Sequence, residues 1–341
     1  MIIGILGRHD IKGNFNNGYS QNVSFFCDFF VKYFSEEHTI IPCDNLNFVN
    51  TPNIDLIIHL AYVDPFSFEI FKQLYPTCKN VYIQYGHQYY MALEAFLPGR
   101  GSSVDTGGQL LLSGLDCMWI SPHFESTKYF YQSICDTSVS IAPFIWKPEM
   151  ITINPFTQKD YDICHKKDIY IVEPNINILK QSLIPILIVN ELWKKNPNSF
   201  NKLYIVSGNN YSAIKCFQDN FLPRIEVLHG PNLKAWYCPP AAVNDIFRRP
   251  SILLSHQENL GLNYIYLEAL YLKIQWVHNS PYFKDGGYYY EDKNIYQGVE
   301  KLELALKEWK AVDNSEIINN YSPDNPNVIS KYKSLITDVM K

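Results

Sequence analysis

Short apolar runs alternate with amphipathic stretches along most of the chain, and each pair of them reads as strand and helix. Met1 to Gly7 is apolar and ends on glycine, a polar Gly/Asn-rich loop covers 8–18, and Val23, Phe26, Cys27, Phe30 and Phe34 then recur at helical spacing. Further strands are predicted at 38–41, 54–60, 80–84, 116–120 and 139–142, each followed by a helical stretch. Strands that are apolar on both faces and separated by helices predict a parallel sheet covered on both sides. The periodicity fails between 145 and 167, where Pro148 and Pro155 fall and charges cluster over 159–168. That stretch reads as a linker and gives a first domain at 1–150.

The same grammar restarts with a strand at 168–173, a turn at Pro174 and Asn175, and a helix carrying Leu179, Leu183, Ile186, Leu187 and Trp193. Strands predicted at 202–206, 224–228, 251–254 and 274–278 complete a second domain at 165–322. Beyond Pro323 and Pro326, the spacing of Val328, Tyr332, Leu335, Ile336 and Val339 predicts a closing helix over 326–341, free to pack back on either domain, the first included. The expected fold class is α/β, with two Rossmann-like, doubly wound domains.

Composition narrows the possibilities. The 341 residues are 47% apolar and 15% aromatic, ample for two packed cores and incompatible with intrinsic disorder. With 29 Lys+Arg against 34 Asp+Glu the net charge is -5, which argues against a basic nucleic-acid clamp. No run approaches the roughly 18 apolar residues of a membrane-spanning helix, so a soluble, uncleaved chain is expected. The eight cysteines are scattered with no C-x-x-C pair, which fits a reducing cytoplasm and predicts no zinc site.

Doubly wound sheets bind ligands beyond the carboxyl ends of their strands, so the residues that follow each predicted strand are the first candidates. They include Gly7-Arg8-His9-Asp10, Gln84-Tyr85-Gly86-His87, Ser121-Pro122-His123, Glu173-Pro174-Asn175, Ser207-Gly208-Asn209, His229-Gly230 and Ser255-His256-Gln257-Glu258-Asn259. Turns in any fold also need polar residues, which is the plain alternative for each loop. The densest signal is 255–268. There a strand leads to a polar loop, to Gly261-Leu262-Asn263, and to an almost wholly apolar helix that nonetheless contains Glu268. A helix start with free amides suits an anion, and a buried carboxylate needs good donors, such as a ribose diol or a neighbouring basic side chain. Gly4-x-x-Gly7 lacks the G-x-G-x-x-G spacing of a dinucleotide fold, so a dehydrogenase is rejected.

Glu258 and Glu268, with Gly261 between them and Leu267-Glu268-Ala269-Leu270 closing the segment, resemble the two-glutamate motif of retaining GT-B glycosyltransferases, especially the large family-four-type group. Nine residues separate the two glutamates here, two more than in the usual motif. Upstream, Asn175 stands where that pattern has an arginine and Lys180 where it has a lysine. A closer resemblance is to an uncharacterised bacterial and viral group of GT-B proteins. It runs through Trp119-Ile120-Ser121-Pro122-His123-Phe124, Pro143-Phe144-Ile145-Trp146, Glu173-Pro174-Asn175-Ile176-Asn177, Ser255-His256-Gln257-Glu258-Asn259, Asn263-Tyr264-Ile265-Tyr266-Leu267, Val277-His278-Asn279-Ser280 and Gly287-Tyr288-Tyr289-Tyr290.

The resemblance implies two domains facing across a cleft, with a nucleoside-diphosphate sugar (UDP or GDP type) on the second and a carbohydrate-type acceptor mainly on the first. It implies transfer with retention and a nucleotide sugar as co-substrate, with no metal cofactor. Carried over to this chain, Glu258, His256 and Lys180 are the catalytic candidates. The nucleotide-sugar candidates are Asn175, Lys180, Ser207, Gly208, Gly230, Gln257, Asn259, Gly261, Leu262, Asn263 and Glu268. Arg8, Gly18, His87 and His123 are candidates for acceptor or sugar contacts. A nucleotide-sugar epimerase of the same fold, or a noncatalytic nucleotide- or sugar-binding protein, are the alternatives.

Overall fold

The computed structural model describes residues 1–7, 18–43, 53–60, 65–86, 88–95, 114–175, 177–212, 214–229 and 234–341. They form two units, Met1–Lys147 with Tyr321–Lys341, and Pro148–Asn320. The first unit holds strands β1 (Ile2–Leu6), β2 (Thr39–Cys43), β3 (Leu56–His59), β4 (Lys79–Gln84), β5 (Cys117–Ile120) and β6 (Ser138–Ile141), with helices α1 (Gly18–Phe34), α2 (Pro65–Leu74), α3 (Gln88–Ala95) and α4 (Lys128–Cys135). The strands pair in parallel in the order β2-β1-β3-β4-β5-β6. Every residue of β3 and β5 is buried, so the sequence shows them as unbroken apolar runs, whereas edge strand β2 is half exposed. On α1, Phe26, Phe30 and Phe34 stack at successive turns, with ring centroids 4.5 and 4.7 Å apart.

The second unit holds β7 (Ile169–Val172), β8 (Leu203–Val206), β9 (Ala235–Cys238), β10 (Ile252–Leu254), β11 (Gln275–His278) and β12 (Tyr288–Tyr289). Its helices are α5 (Gln158–Ile163), α6 (Leu183–Lys195), α7 (Asn209–Ser212), α8 (Val243–Ile246), α9 (Tyr264–Tyr271), α10 (Ile295–Lys307) and α11 (Ser315–Asn319). The sheet is again parallel, in the order β12-β11-β10-β7-β8-β9. Its core is aliphatic, with Ile169, Ile171, Ile186, Val189, Leu203 and Leu254 buried together. The last helix, α12 (Pro326–Met340), joins the first unit, where Tyr332 packs against Phe26, Phe29, Phe30 and Trp119 and donates its hydroxyl to the Pro143 carbonyl at 2.8 Å.

The strand expected at 224–228 is not one. Those residues fall in two 3-10 turns, Leu222–Arg224 and Glu226–Leu228, and the third strand of the second sheet comes later, at Ala235–Cys238. Pro223 at the start of the first turn cannot donate to a ladder, and the Val227 amide is taken at 3.2 Å by the Asn190 side chain of α6. The expected linker contains a 3-10 turn at Pro148–Met150 and the short helix α5, which a Thr157/Asp160 capping box starts. Leu179, placed on the helix by its spacing, lies before α6, which begins at Leu183.

Gly287, just before β12, has φ +64, and a Cβ there would lie 2.5 Å from the Trp276 carbonyl oxygen. Gly287→Ala combines a left-handed backbone with a clash against a central strand, and is expected to lower stability by about 2 kcal/mol in urea titration.

Candidate functional site

In the second sheet β8 and β9 lie on one side of β7 and β10, β11 and β12 on the other, so the strand order reverses between β7 and β10. The carboxyl ends of those two strands are where a doubly wound sheet receives its ligand. Glu173, Pro174 and Asn175 follow β7, and Ser255, His256 and Gln257 follow β10.

Asn175 closes the loop after β7. It adopts φ 55, a left-handed conformation that asparagine tolerates, and its amide nitrogen donates to the Lys180 carbonyl at 3.1 Å. Its side chain donates Nδ2 to the carbonyls of Glu173 (2.8 Å) and Ser207 (3.4 Å) and accepts the Ser182 amide on Oδ1 at 2.8 Å. The carboxamide is thus engaged in holding β7, β8 and the start of α6 together. The returning loop pairs antiparallel with the segment after β10 at Lys180 and Gln257, and the Glu258 amide donates to the Leu179 carbonyl at 3.0 Å. Asn279, after β11, brackets the other side of Gln257, accepting its amide and donating to its carbonyl, both at 3.0 Å.

Glu173 lies at the centre of this network with 1% of its surface exposed. One carboxylate oxygen accepts the Ser255 hydroxyl at 2.5 Å and the other the Gln257 Nε2 at 3.2 Å. Burial pushes its carboxyl up to about 8, against the pull of Ser255, the nearby Lys180 charge and Gln257. Lys180 is pushed the opposite way, down from the usual lysine range, by the same burial, with Glu173 opposing. Among the described residues no side chain or carbonyl accepts a hydrogen bond from its ammonium, and no carboxylate forms an ion pair with it.

His256 and Glu258 form a second cluster beside the first. His256 Nδ1 lies 3.0 Å from the Tyr290 hydroxyl, and its Nε2 lies 3.2 Å from Glu258 Oε1. Tyr290 also donates to the Ser255 carbonyl at 3.1 Å, and Lys293 reaches the Glu258 carboxylate at 2.9 Å. The His256 bond first and then Lys293 hold the Glu258 carboxyl down at about 2. Such a carboxylate stays ionised near neutrality and acts as a fixed charge or an acceptor, not as a proton donor.

The same segment continues to Asn259, at φ 52, and to Gly261, whose carbonyl accepts the Ser280 hydroxyl at 2.6 Å. A Cβ on Gly261 would lie 2.7 Å from the Tyr282 ring. Leu262 is buried, and Asn263 caps α9 by accepting the Ile265 amide at 3.4 Å. Glu268 is buried within α9 among Tyr266, Leu267, Ala269 and Leu270. Ser207, at φ 59, and Gly208, where a Cβ would run into the Tyr237 ring, form the tight turn after β8.

The structure therefore joins Asn175, Lys180, Ser207, His256, Gln257 and Glu258 through hydrogen bonds, with Asn259 to Glu268 on the following segment. His123 and Gly18 belong to the first unit. There His123 is buried with its ring 3.9 Å from that of Phe124, and Gly18 begins α1. Arg8, His87 and Gly230 lie outside the described residues. Glu173 stood in one of the polar loops read from the sequence but was given no individual role there. Its signal was an acid placed directly after the apolar strand Ile-Tyr-Ile-Val. Tyr290, from the tyrosine-rich stretch, is fully buried and anchors His256.

A family model described as "Protein of unknown function (DUF2827)" matches residues 30–336. No curated protein matches the chain. Three solved structures align over nearly the whole chain. The N-terminal domain of the Candida albicans trehalose-6-phosphate phosphatase aligns at TM-score 0.56 and 12% identity, over 99% of this chain and 96% of that one. Sucrose-phosphate synthase from Thermosynechococcus elongatus gives TM-score 0.56 at 8% identity, over 99% of both chains. WaaG, a glycosyltransferase involved in lipopolysaccharide biosynthesis, gives 0.52 at 12%, again over 99% of both. The likeness is one of fold: two six-stranded parallel sheets with flanking helices, the GT-B fold.

Proposed function

The chain belongs to the DUF2827 family, whose description assigns no activity, and from its own site we propose that it is a glycosyltransferase moving a sugar from a nucleoside-diphosphate sugar to a carbohydrate-type acceptor. One observation carries this reading. At the point where the second sheet of a GT-B fold reverses its strand order, a half-buried lysine, Lys180, holds a positive charge with which no described carboxylate forms an ion pair, Glu173 acting on it only through its field. A diphosphate supplies that charge at the position where such sheets bind nucleotides.

The chemistry follows from the leaving group. As the bond from the anomeric carbon to the diphosphate breaks, the sugar becomes oxocarbenium-like and negative charge collects on the departing phosphate oxygens. Lys180 and the amides near Gly261 stabilise that charge without a metal ion. Glu268 takes the ribose hydroxyls, while His256, Gln257, Glu258 and Asn259 surround the transferring sugar. Retention at the anomeric carbon is part of the proposal.

Asn175 favours a second reading, a protein that holds a nucleotide sugar without transferring it. It replaces the arginine of the family-four-type pattern, and its carboxamide is consumed by the loop, so one diphosphate clamp is missing.

A thermal-shift screen of UDP and GDP and their sugars tests the binding step. A ligand at 100 times its dissociation constant adds about 2.7 kcal/mol of stability, so a clear rise in Tm is expected for at least one nucleotide. A panel without any response removes the donor site. Slow hydrolysis of the bound donor, lost in Lys180→Ala, marks the transferase; binding without turnover marks the second reading, and an epimerised donor marks an isomerase.

A further inference from the structure

Glu173 is an expensive residue to bury, and the proposed reaction does not use it. Its carboxyl is closed off from solvent, and its hydrogen-bond partners, Ser255, Gln257 and the His256 amide, are all uncharged. The nearest cation is Lys180, which acts on it through its field and forms no ion pair with it among the described residues. Two buried tyrosines, Tyr266 of α9 and Tyr290 after β12, feel its charge. Both hydroxyls are held far above their usual range and stay neutral. Glu258, the next carboxylate, is already matched by His256 and Lys293.

One further detail bears on its protonation. Gln257 Nε2 donates to Glu173, while Gln257 Oε1 is buried and has no partner among the described residues. A half-turn of that carboxamide converts it from a donor to a carboxylate into an acceptor for a carboxylic acid. The site therefore accommodates either protonation state of Glu173.

Resting on the reading of Lys180 as a diphosphate ligand, we propose that Glu173 is a positioning residue that takes one proton from solvent onto its carboxylate as the donor diphosphate settles on Lys180. With the site empty, a Glu173 carboxylate partly neutralises the Lys180 ammonium. An arriving diphosphate replaces that neutralisation, and a second anion beneath it becomes unfavourable, so the proton is bound and the O–H turns to Gln257 Oε1. Lys180 then presents its whole charge to the phosphate. Binding and proton uptake are thus one linked event.

The empty-site carboxyl titrates at about 8, so uptake depends on pH in a definite sense. Near pH 6 Glu173 already carries its proton and uptake on binding is near zero; by about pH 8.5 it reaches at most about three-quarters of a proton per ligand, and it approaches one only above about pH 9. Calorimetry of the full-length chain with UDP-glucose and GDP-mannose, in buffers of different ionisation enthalpy, measures this directly. The wild type is expected to show the rise, and Glu173→Gln, which mimics the protonated acid, a flat profile with affinity preserved at pH 6. A nucleotide sugar that binds with no uptake at any pH, or with the same rise in Glu173→Gln, overturns the proposal and leaves the donor site standing. If neither sugar nucleotide binds, the donor site itself is wrong and the proposal goes with it. The unliganded protein gives an independent check. A folded-state carboxyl raised from 4.5 to about 8 contributes stability that is full below 4.5 and lost as pH rises through 8, so the wild-type Tm falls more steeply over that interval than that of Glu173→Gln.

Discussion

Lys180→Ala should weaken binding of a nucleoside diphosphate by two to three orders of magnitude, about 3–4 kcal/mol, while leaving the protein as stable as wild type or more so. The two halves of that result have one cause. The Lys180 side chain is half-buried and makes no ion pair among the described residues, so the free protein bears a cost that Glu173 offsets only in part, through its field. Its removal leaves Glu173 as a neutral acid with its two hydrogen bonds intact. A bound diphosphate, by contrast, loses a charge-assisted contact in surroundings of low polarity. Equilibrium binding combined with urea titration of the same variant separates the effects. Unchanged affinity would remove Lys180 from the site; a large loss of stability with it would make the lysine a structural residue.

The second large effect lies at the opposite end of the same strand. Asp168, immediately before β7, is fully buried, and its carboxylate pairs with Arg249 and accepts Asn201 Nδ2 at 2.7 Å. Its carbonyl accepts the Ile252 amide at 2.9 Å, which ties β7 to β10, the two strands whose far ends carry Glu173 and Ser255. Arg249→Ala leaves the buried Asp168 without its cation and is expected to cost about 2–3 kcal/mol in urea titration, below the range for a fully buried ion pair because the Arg249 side chain is itself part-exposed. Adding Asp168→Asn should restore much of the loss, because the remaining group is neutral and still accepts from Asn201. If the single variant unfolds like wild type, the pair contributes little and solvent reaches Asp168.

How much of the site could be read beforehand depended on burial. An acid inside an apolar helix is conspicuous in any sequence, and Glu268 is indeed buried in α9. The loops after β7 and β10 stood out because polar residues follow apolar runs there. The strand Ala235–Cys238 did not stand out, because an edge strand that is half exposed on both faces lacks a two-residue alternation, and the apolar stretch at 224–228 imitated a strand while packing as turns. In the tyrosine run at 288–290 the sequence does not show which ring is inside; Tyr290 is wholly buried and holds His256.

By itself the sequence determined the fold class, since only a parallel sheet covered by helices buries such runs on both faces, and it marked the loops that hold the polar residues. Which of those residues meet was decided by the tertiary structure. Lys180 and Gln257 are 77 positions apart and pair only because the left-handed Asn175 returns the chain toward the end of β10. The opposed shifts of Glu173 and Lys180 likewise arise from shared burial, a property of the packed molecule that no local pattern of residues carries.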